Sequence, residues 1–283
     1  MATITTTELR TFVSYVHELC GIQLDDSKAY LLESRLTPLL QELHCRTYND
    51  LYTKARHDAS KNIPNKIVDA ISTRETLFFR DTSPFELLKF KLVPDHFDRV
   101  TAPGPSGARA LQIWSAACST GQELYSIAIT LKELLGDLTR YRVKLLGTDI
   151  ADAAIAQASY GRYNKIEVER GLSPEKIQRY FLADGSGWRI KDELRAVASF
   201  RKLNLLEPFR GIGPFDIIFC RNVAIYFSPQ DRTRLFDRLA DLLTPHGTLI
   251  IGATETLMGL NHRFVRQQYR QAVFYQLNSQ AGV

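Results

Sequence analysis

The spacing of apolar residues changes along this chain, and that change restricts the possible folds more than any other feature. From about residue 108, short apolar runs alternate with amphipathic helical segments. The runs cover residues 110–116, 143–149, 215–220 and 247–253, and the helical segments between them include 122–135 and 230–243. Strands alternating with helices predict an α/β fold, a mostly parallel sheet covered by helices on both faces.

The first part of the chain shows only helical spacing. Apolar residues recur at intervals of three and four from Leu9 onward, and Gly21 interrupts the first run. Three further periodic stretches extend to residue 72. We therefore predict a small all-α domain over residues 1–75, followed by the α/β domain over residues 76–283.

Two segments of the second domain depart from this alternation. Residues 161–203 contain glycine-rich turns between short β-like stretches, which predicts a small antiparallel β insert. Residues 264–277 are rich in aromatic residues and broken near Tyr269, which predicts a closing antiparallel hairpin at the edge of the sheet.

Composition excludes several classes of protein. Hydrophobic residues make up 45% and charged residues 24%, which is typical of a soluble globular chain. No apolar run approaches the roughly 18–20 residues that span a bilayer, so no membrane insertion is expected. Because the first residues lack the pattern of an export signal, we expect a cytoplasmic protein. The four cysteines form no CxxC pair and no histidine lies near them at ligand spacing, so no metal site is expected.

The segments that follow the predicted strands are the first candidates for a site, because ligands bind beyond the carboxyl ends of strands in open α/β sheets. Small residues and Gly121 follow the first strand and allow close approach to a ligand at a helix N-terminus. Asp149 follows the second strand, where it could accept hydrogen bonds from ribose hydroxyls or cap the next helix. Glu123 could bind a ligand ammonium group, or it could have no ligand and lie in the first turn of a helix, where a negative charge is favourable.

Two common ligand classes do not fit these segments. The first loop lacks the GxGxxG spacing of a dinucleotide site, which disfavours an NAD-linked oxidoreductase. The segment after residue 220 lacks the D/N-P-P-Y/F tetrad typical of base methyltransferases, and the net charge of +5 is diffuse. We therefore expect no nucleic-acid partner.

A further candidate lies at the junction of the two domains, in residues 72–81. Phe78 and Phe79 are expected in the core, and Arg80 directly after them could be a surface charge or an anion partner.

Taken in order, these segments resemble the chemotaxis-receptor glutamate O-methyltransferases of the CheR type. The matching strings are TRETLFFRD (73–81), WSAACSTGQELYSIAI (114–129), GTDI (147–150), NLL (204–206), GPFDIIFCRNVAIYF (213–227) and GATETL (252–257), with LDDSKAYLLESRL (24–36) in the helical part. The resemblance implies a class I, Rossmann-like methyltransferase domain that binds S-adenosylmethionine (SAM), an inserted β subdomain and a helical N-terminal domain. One departure is that Gln122 and Leu124 replace the acid and the proline usual in the family.

The resemblance also implies roles for individual residues. The SAM pocket would be formed by Thr76, Arg80, Ala117, Glu123, Asp149, Asn204, Leu205, Arg221, Asn222 and Tyr226. Asp149 would take the ribose hydroxyls and Glu123 the methionyl ammonium, with Arg80 and Tyr226 nearest the transferred methyl group as the catalytic pair. The product would be S-adenosylhomocysteine (SAH).

The implied partner is the cytoplasmic helical domain of methyl-accepting chemotaxis receptors, and the β insert could dock a receptor's C-terminal peptide as an added strand. Lys28 and Arg35 lie seven residues apart and could follow an acidic helix. Two alternatives stay open: a SAM- or SAH-binding sensor or scaffold without transferase activity, and a protein-carboxylate methyltransferase of a parallel signalling pathway.

Overall fold

The amino-terminal part of the chain folds into four helices with a core of their own, which confirms the predicted helical character. The computed structural model describes residues 3–25, 28–99, 109–260 and 262–278. The four helices are α1 (Thr6–Cys20), α2 (Ala29–Glu42), α3 (Tyr48–His57) and α4 (Asn62–Ile71). Their buried faces meet around Phe12, Leu36 and Tyr48. Among the described residues, no helix is long and apolar enough to cross a membrane.

Sequence signals account for the ends of these helices. Capping boxes open α1 at Thr5 and α3 at Thr47. Each threonine side chain accepts from the backbone N–H of the acidic residue three positions on, and the carboxylate of that residue accepts from the threonine N–H. Helix α1 ends at Gly21, whose φ of 73° suits glycine better than any other residue.

The remainder of the described chain alternates between strands and helices. The helices are α5 (Thr82–Leu87), α6 (Val93–Arg99), α7 (Gln122–Leu135), α8 (Asp152–Tyr160), α9 (Lys165–Glu169), α10 (Pro174–Tyr180), α11 (Asp192–Arg195) and α12 (Pro229–Leu242), with a π-helical turn at Leu88–Leu92 between α5 and α6. The strands are β1 (Arg109–Ala116), β2 (Tyr141–Asp149), β3 (Arg162–Asn164), β4 (Phe181–Asp184), β5 (Gly187–Ile190), β6 (Ala198–Lys202), β7 (Phe215–Cys220), β8 (Leu243–Ile251), β9 (Phe264–Tyr269) and β10 (Ala272–Leu277).

The large sheet has the strand order β6-β2-β1-β7-β8-β10-β9. Neighbouring strands from β6 to β8 are parallel, and β10 runs antiparallel to both β8 and β9. The chain moves outward from β1 to β2 and β6, then returns to β7 on the other side of β1. This reversal creates a topological switch point between β1 and β7. Apolar cores lie on both faces of the sheet, so the predicted α/β fold and the predicted closing hairpin are confirmed.

The predicted β insert is partly wrong in its extent. A small antiparallel sheet of order β3-β5-β4 does exist. Residues 198–202, which we predicted to belong to it, instead form β6 and pair in parallel with residues 145–149 of β2. Strand β6 thus extends the large sheet beyond β2, and local sequence spacing does not reveal this long-range pairing. The predicted boundary between the two domains at residue 75 stays a prediction.

Phe78 joins the insert to the large domain. Its ring is fully buried and makes edge contacts with Tyr163 of β3 and Phe181 of β4. Phe79 is only partly buried, so of the two predicted core residues Phe78 is the one fully enclosed. Gly171 lies against the Phe78 backbone so closely that a Cβ there would fall 1.9 Å from the Phe78 carbonyl oxygen.

We expect Gly171→Ala to destabilise the fold, because the new methyl group would meet a backbone atom that cannot rotate away. The expected loss in free energy of unfolding is about 3 kcal/mol, at the upper end of overpacking costs, measured by urea denaturation. Gly259→Ala is the control: Gly259 has a φ of 73° in the turn closed by the Leu260 N–H and the Leu257 carbonyl oxygen, and a Cβ added there would have no atom within 4 Å, so only backbone strain of about 1 kcal/mol is expected. Equal losses for the two variants would contradict a close contact at Gly171.

Candidate active site

A cavity of about 290 Å³ lies at the carboxyl ends of the parallel strands. Its wall is formed by the segments that follow β1, β2, β6 and β7, by residues 71–80 and by residues of the helical part. All the site residues that the resemblance implied line it, namely Thr76, Arg80, Ala117, Glu123, Asp149, Asn204, Leu205, Arg221, Asn222 and Tyr226. Residues that are far apart in sequence are therefore gathered around one space.

The turn after β1 has an unusual backbone. Ala117, Ser119 and Gly121 have φ values of 60°, 50° and 94°, a region that only glycine adopts without cost. At Gly121 space is limited as well, because a Cβ there would lie 2.9 Å from the Cβ of Ala158. The turn passes directly into α7, so its backbone approaches the cavity at a helix N-terminus, which favours negatively charged or polar ligand groups.

Asp149 is held at the end of β2 by two backbone hydrogen bonds. Its Oδ2 accepts from the N–H of Ser119 at 2.9 Å, and its Oδ1 accepts from the N–H of Ala151 at 3.0 Å. Burial raises the pKa of the Asp149 carboxyl above its ordinary value, and these hydrogen bonds oppose the rise. Helix α8 has Ala151 as its N-cap and no capping side chain, so the predicted helix-capping role of Asp149 is wrong, while its remaining lone pairs can accept from a ligand.

An ion cluster around a buried arginine lies beside the cavity. Arg221 is only 5% exposed, and its Nη1 donates to Oε2 of Glu123 at 2.8 Å while its Nη2 donates to Oδ2 of Asp81 at 2.7 Å. The Ser115 hydroxyl donates to Oε1 of Glu123 at 2.7 Å. One guanidinium between two carboxylates leaves the cluster with one excess negative charge, which favours a cationic ligand group nearby. Glu123 keeps acceptor capacity for such a group, since a carboxylate has about four lone-pair positions.

The turn that carries Arg80 is strained on both sides of that residue. Phe79 and Asp81 have φ values of 53° and 57°, and non-glycine residues in this region cost about 1–3 kcal/mol each. The N–H of Phe79 donates to Oγ of Ser126 at 2.9 Å, and Arg80 Nη1 donates to the carbonyl oxygen of Glu75 at 3.0 Å. These contacts keep the half-buried Arg80 at the cavity wall.

The helical part of the chain holds two of the predicted site residues in place. The N–H of Gln23 donates to the carbonyl oxygen of Tyr226 at 2.8 Å, and Asn204 Nδ2 donates to the carbonyl oxygen of Leu19 at 3.1 Å. Ile22 and Leu24 line the cavity itself. Sequence reasoning missed this wall, because no pattern in residues 19–24 indicates which surface they face.

Glu255 is a second residue whose role sequence reasoning missed, although it lies in the quoted string 252–257. Its Oε2 accepts from the N–H groups of Asn222 at 2.8 Å and Gly252 at 2.7 Å. Asn222 has a φ of 57°, so Glu255 stabilises a strained turn at the cavity. An acidic residue shortly after a strand end was the available signal.

Arg35 has an internal role in this structure. Its Nη1 donates to the carbonyl oxygens of Ile71 at 2.5 Å and Ser72 at 3.2 Å, at the C-terminal end of α4, where a cation is favourable. Lys28 instead lines the cavity. Of the two cations that were predicted to follow an acidic helix, only Lys28 therefore stays a candidate.

The fold and the site together define a class I, SAM-dependent methyltransferase. The sheet order and the cavity at the switch point are those of the class. The side chains fit the cofactor chemically, because Asp149 can accept from hydroxyls and the acidic cluster at Glu123 suits a cation.

Sequence comparison gives the family. The family model for "CheR methyltransferase, SAM binding domain" matches residues 74–273, and that for "CheR methyltransferase, all-alpha domain" matches residues 7–72. The chain belongs to the CheR methyltransferase family.

Two relatives named as chemotaxis protein methyltransferases agree with this assignment. Chemotaxis protein methyltransferase Cher2 of Pseudomonas putida is 37% identical over 274 residues, covering 95% of this chain and 97% of that protein. Chemotaxis protein methyltransferase of Vibrio parahaemolyticus is 38% identical over 283 residues, covering 97% and 98%. Among solved structures, magnesium protoporphyrin IX methyltransferase from Synechocystis PCC 6803 with bound SAM has a TM-score of 0.36 and 16% identity, covering 89% of this chain and 95% of that one.

We expect Glu255→Ala to loosen the Asn222 turn, because two backbone N–H groups would lose a charged acceptor. Hydrogen bonds to charged groups contribute about 1.5–3 kcal/mol each, so a loss of at least about 2 kcal/mol in free energy of unfolding is expected in urea. Glu255→Gln is the control, since its amide oxygen can still accept both bonds and should retain most of the stability. If alanine and glutamine behave alike, the hydrogen bonds are not what stabilises the turn.

Proposed function

We propose that this protein transfers the methyl group of SAM to glutamate side chains of methyl-accepting chemotaxis receptors and so forms glutamyl methyl esters. The observation that carries the proposal is the gathering of all the implied site residues, Arg80 and Tyr226 included, around one cavity at the switch point. Membership of the CheR family supplies the reaction class. The finer roles of the residues below are part of the proposal.

The chemistry requires no general base. A glutamate with an ordinary pKa near 4.3 is already ionised at neutral pH, and bound SAM supplies an electrophilic methyl group on a positively charged sulfur. The protein's task is then to orient the two reactants and to exclude water, which can lower a barrier by roughly 7–11 kcal/mol.

Specific groups would perform this orientation. Arg80 would hold the acceptor carboxylate by a charge-assisted hydrogen bond, and the Tyr226 hydroxyl would lie close to the transferred methyl group. Asp149 would accept from the ribose hydroxyls, and Glu123 from the ammonium group of the methionyl part.

The acceptor would enter where the helical part meets the methyltransferase domain. Lys28 and Tyr30 of this part line the cavity, and Tyr30 is 66% exposed. An acidic receptor helix would find a cation there at Lys28. We place this reaction in the cytoplasm, on the cytoplasmic helical domain of the receptor.

The insert could add a second contact with some receptors. In the order β3-β5-β4, the outer edges of β3 and β4 have no strand partner among the described residues. Leu182 of β4 is 44% exposed. An extended C-terminal receptor peptide could pair with such an edge through backbone hydrogen bonds.

The decisive experiment measures methyl transfer. Purified protein is incubated with methyl-labelled SAM and receptor-containing membranes, and base-labile methanol is counted. We expect labelled ester from the wild type and about a hundredfold less from Arg80→Ala, the scale of loss for a misplaced reactant. Arg140→Ala should match the wild type, because Arg140 is exposed and lies just before the amino end of β2, whereas the cavity lies at the carboxyl ends of the strands. SAH binding without any ester would favour the sensor or scaffold alternative, and near-normal ester formation by Arg80→Ala would exclude the role given to Arg80.

A second experiment tests Asp149 through its pH dependence. Because burial raises the pKa of this carboxyl, the ionised form that accepts from ribose is lost at a higher pH than for an ordinary aspartate near 3.9. Affinity for SAH, measured by calorimetry, should therefore fall on acidification, and the fall should begin at a higher pH than an ordinary aspartate would give.

Asp149→Asn and a control complete this test. Asp149→Asn should bind SAH roughly tenfold to a hundredfold more weakly near neutral pH, the effect of losing a charged acceptor, and with less pH dependence. Asp152→Asn removes a half-exposed carboxylate three residues away that pairs with Lys202 and should bind as the wild type does. A pH-independent affinity of the wild type would rule out Asp149 as the ribose ligand.

A further inference from the structure

Arg221 connects three separate parts of the chain. Its guanidinium contacts Glu123 in the first turn of α7, and its Nη2 donates both to the side chain of Asp81 and to the carbonyl oxygen of Arg80 at 2.9 Å. Arg221 itself follows β7 and is almost completely buried. Two of these three bonds therefore end on the turn that carries Arg80.

Asp81 does not cap helix α5, although it occupies the N-cap position of that helix. It directly precedes α5, where an aspartate side chain usually accepts from the first backbone N–H groups of the helix. Here its side chain makes no capping hydrogen bond, and its backbone has φ 57° and ψ 95°. The carboxylate is directed to Arg221 instead, at the expense of the cap and of a relaxed backbone.

Asp81 also lies outside the cavity that holds the proposed cofactor site. Arg80 and Arg221 line that cavity, but Asp81 does not. It lines a neighbouring cleft with Pro84, Glu255 and Tyr275. A change at Asp81 can therefore alter the Arg80 turn without removing a group that touches the cofactor.

We propose that Asp81 and Arg221 form a positioning pair, in which the buried guanidinium, fixed by Glu123, holds the strained Phe79–Asp81 turn so that Arg80 is aligned for methyl transfer. The inference rests on the proposed function and assigns to Asp81 a role that the motif alone does not reveal. Asp81 acts through Arg80 and is not itself a catalytic residue.

The test uses Asp81→Gly and Asp81→Asn. Glycine adopts positive φ freely, so Asp81→Gly removes the carboxylate without adding backbone strain. Asparagine has the size and shape of aspartate, so it leaves the backbone strain as it is, and it keeps one acceptor oxygen, so its loss should be smaller. We expect kcat for receptor methylation to fall at least tenfold in Asp81→Gly and about threefold in Asp81→Asn, while the Kd for SAH changes less than threefold.

Asp95→Asn is the matched control. The Asp95 side chain is 40% exposed and pairs with Lys91, whereas that of Asp81 is 42% exposed and pairs with Arg221. Asp95 lies in α6, outside the cavity. This variant should keep the kcat and the SAH affinity of the wild type.

A double-mutant cycle separates positioning from general support of the fold. If Asp81 acts through Arg80, the variant carrying both Arg80→Ala and Asp81→Gly should be no slower than Arg80→Ala alone. The proposal is overturned if the two losses multiply, if Asp81→Gly keeps kcat within twofold, or if its SAH affinity falls as far as its kcat. A wild type that neither binds SAH nor labels receptors would instead disprove the proposed function.

Discussion

Parallel strands end at a common edge, and this constraint positions everything else in the methyltransferase domain. Because β6, β2, β1 and β7 all run in one direction, the segments that follow them converge at the switch point beside β1. In this way Asp149 and Arg221 line the same cavity, although they follow different strands and are distant in sequence. The cavity is thus a consequence of topology, and its chemistry depends on which side chains follow each strand.

The carboxyl ends of these strands carry several features that lower the stability of the fold. The guanidinium of Arg221 is buried and Asp149 is desolvated. In addition, five non-glycine residues adopt backbone angles that cost energy, namely Phe79, Asp81, Ala117, Ser119 and Asn222. Such features persist only where the surroundings enforce them. Here the enforcement comes from the core around Phe78, from the backbone bonds to Asp149 and from Glu255. Strain and buried charge are concentrated where a cation and a carboxylate would have to meet, which is the expected distribution for a site that orients reactants.

The helical domain takes part in the site as well as adding to the fold. The bonds from Gln23 to Tyr226 and from Asn204 to Leu19 connect the two parts directly at the cavity. Arg35 fixes the end of α4, from which the chain enters the Thr73–Asp81 segment. In the proposed function, substrate recognition and the alignment of Arg80 would share this structural support, and the acceptor would approach between the two parts.

The sequence by itself determined the helical domain, the alternation of strands and helices, the closing hairpin and the family, because these depend on local periodicity and on strings of neighbouring residues. Only the tertiary structure decided that residues 198–202 extend the large sheet, that Arg35 caps α4 and that Asp81 binds Arg221 and leaves α5 uncapped. Each of these depends on a partner distant in sequence. Local patterns specify what a side chain can do, but the partner that it meets is set by the packing of the whole chain.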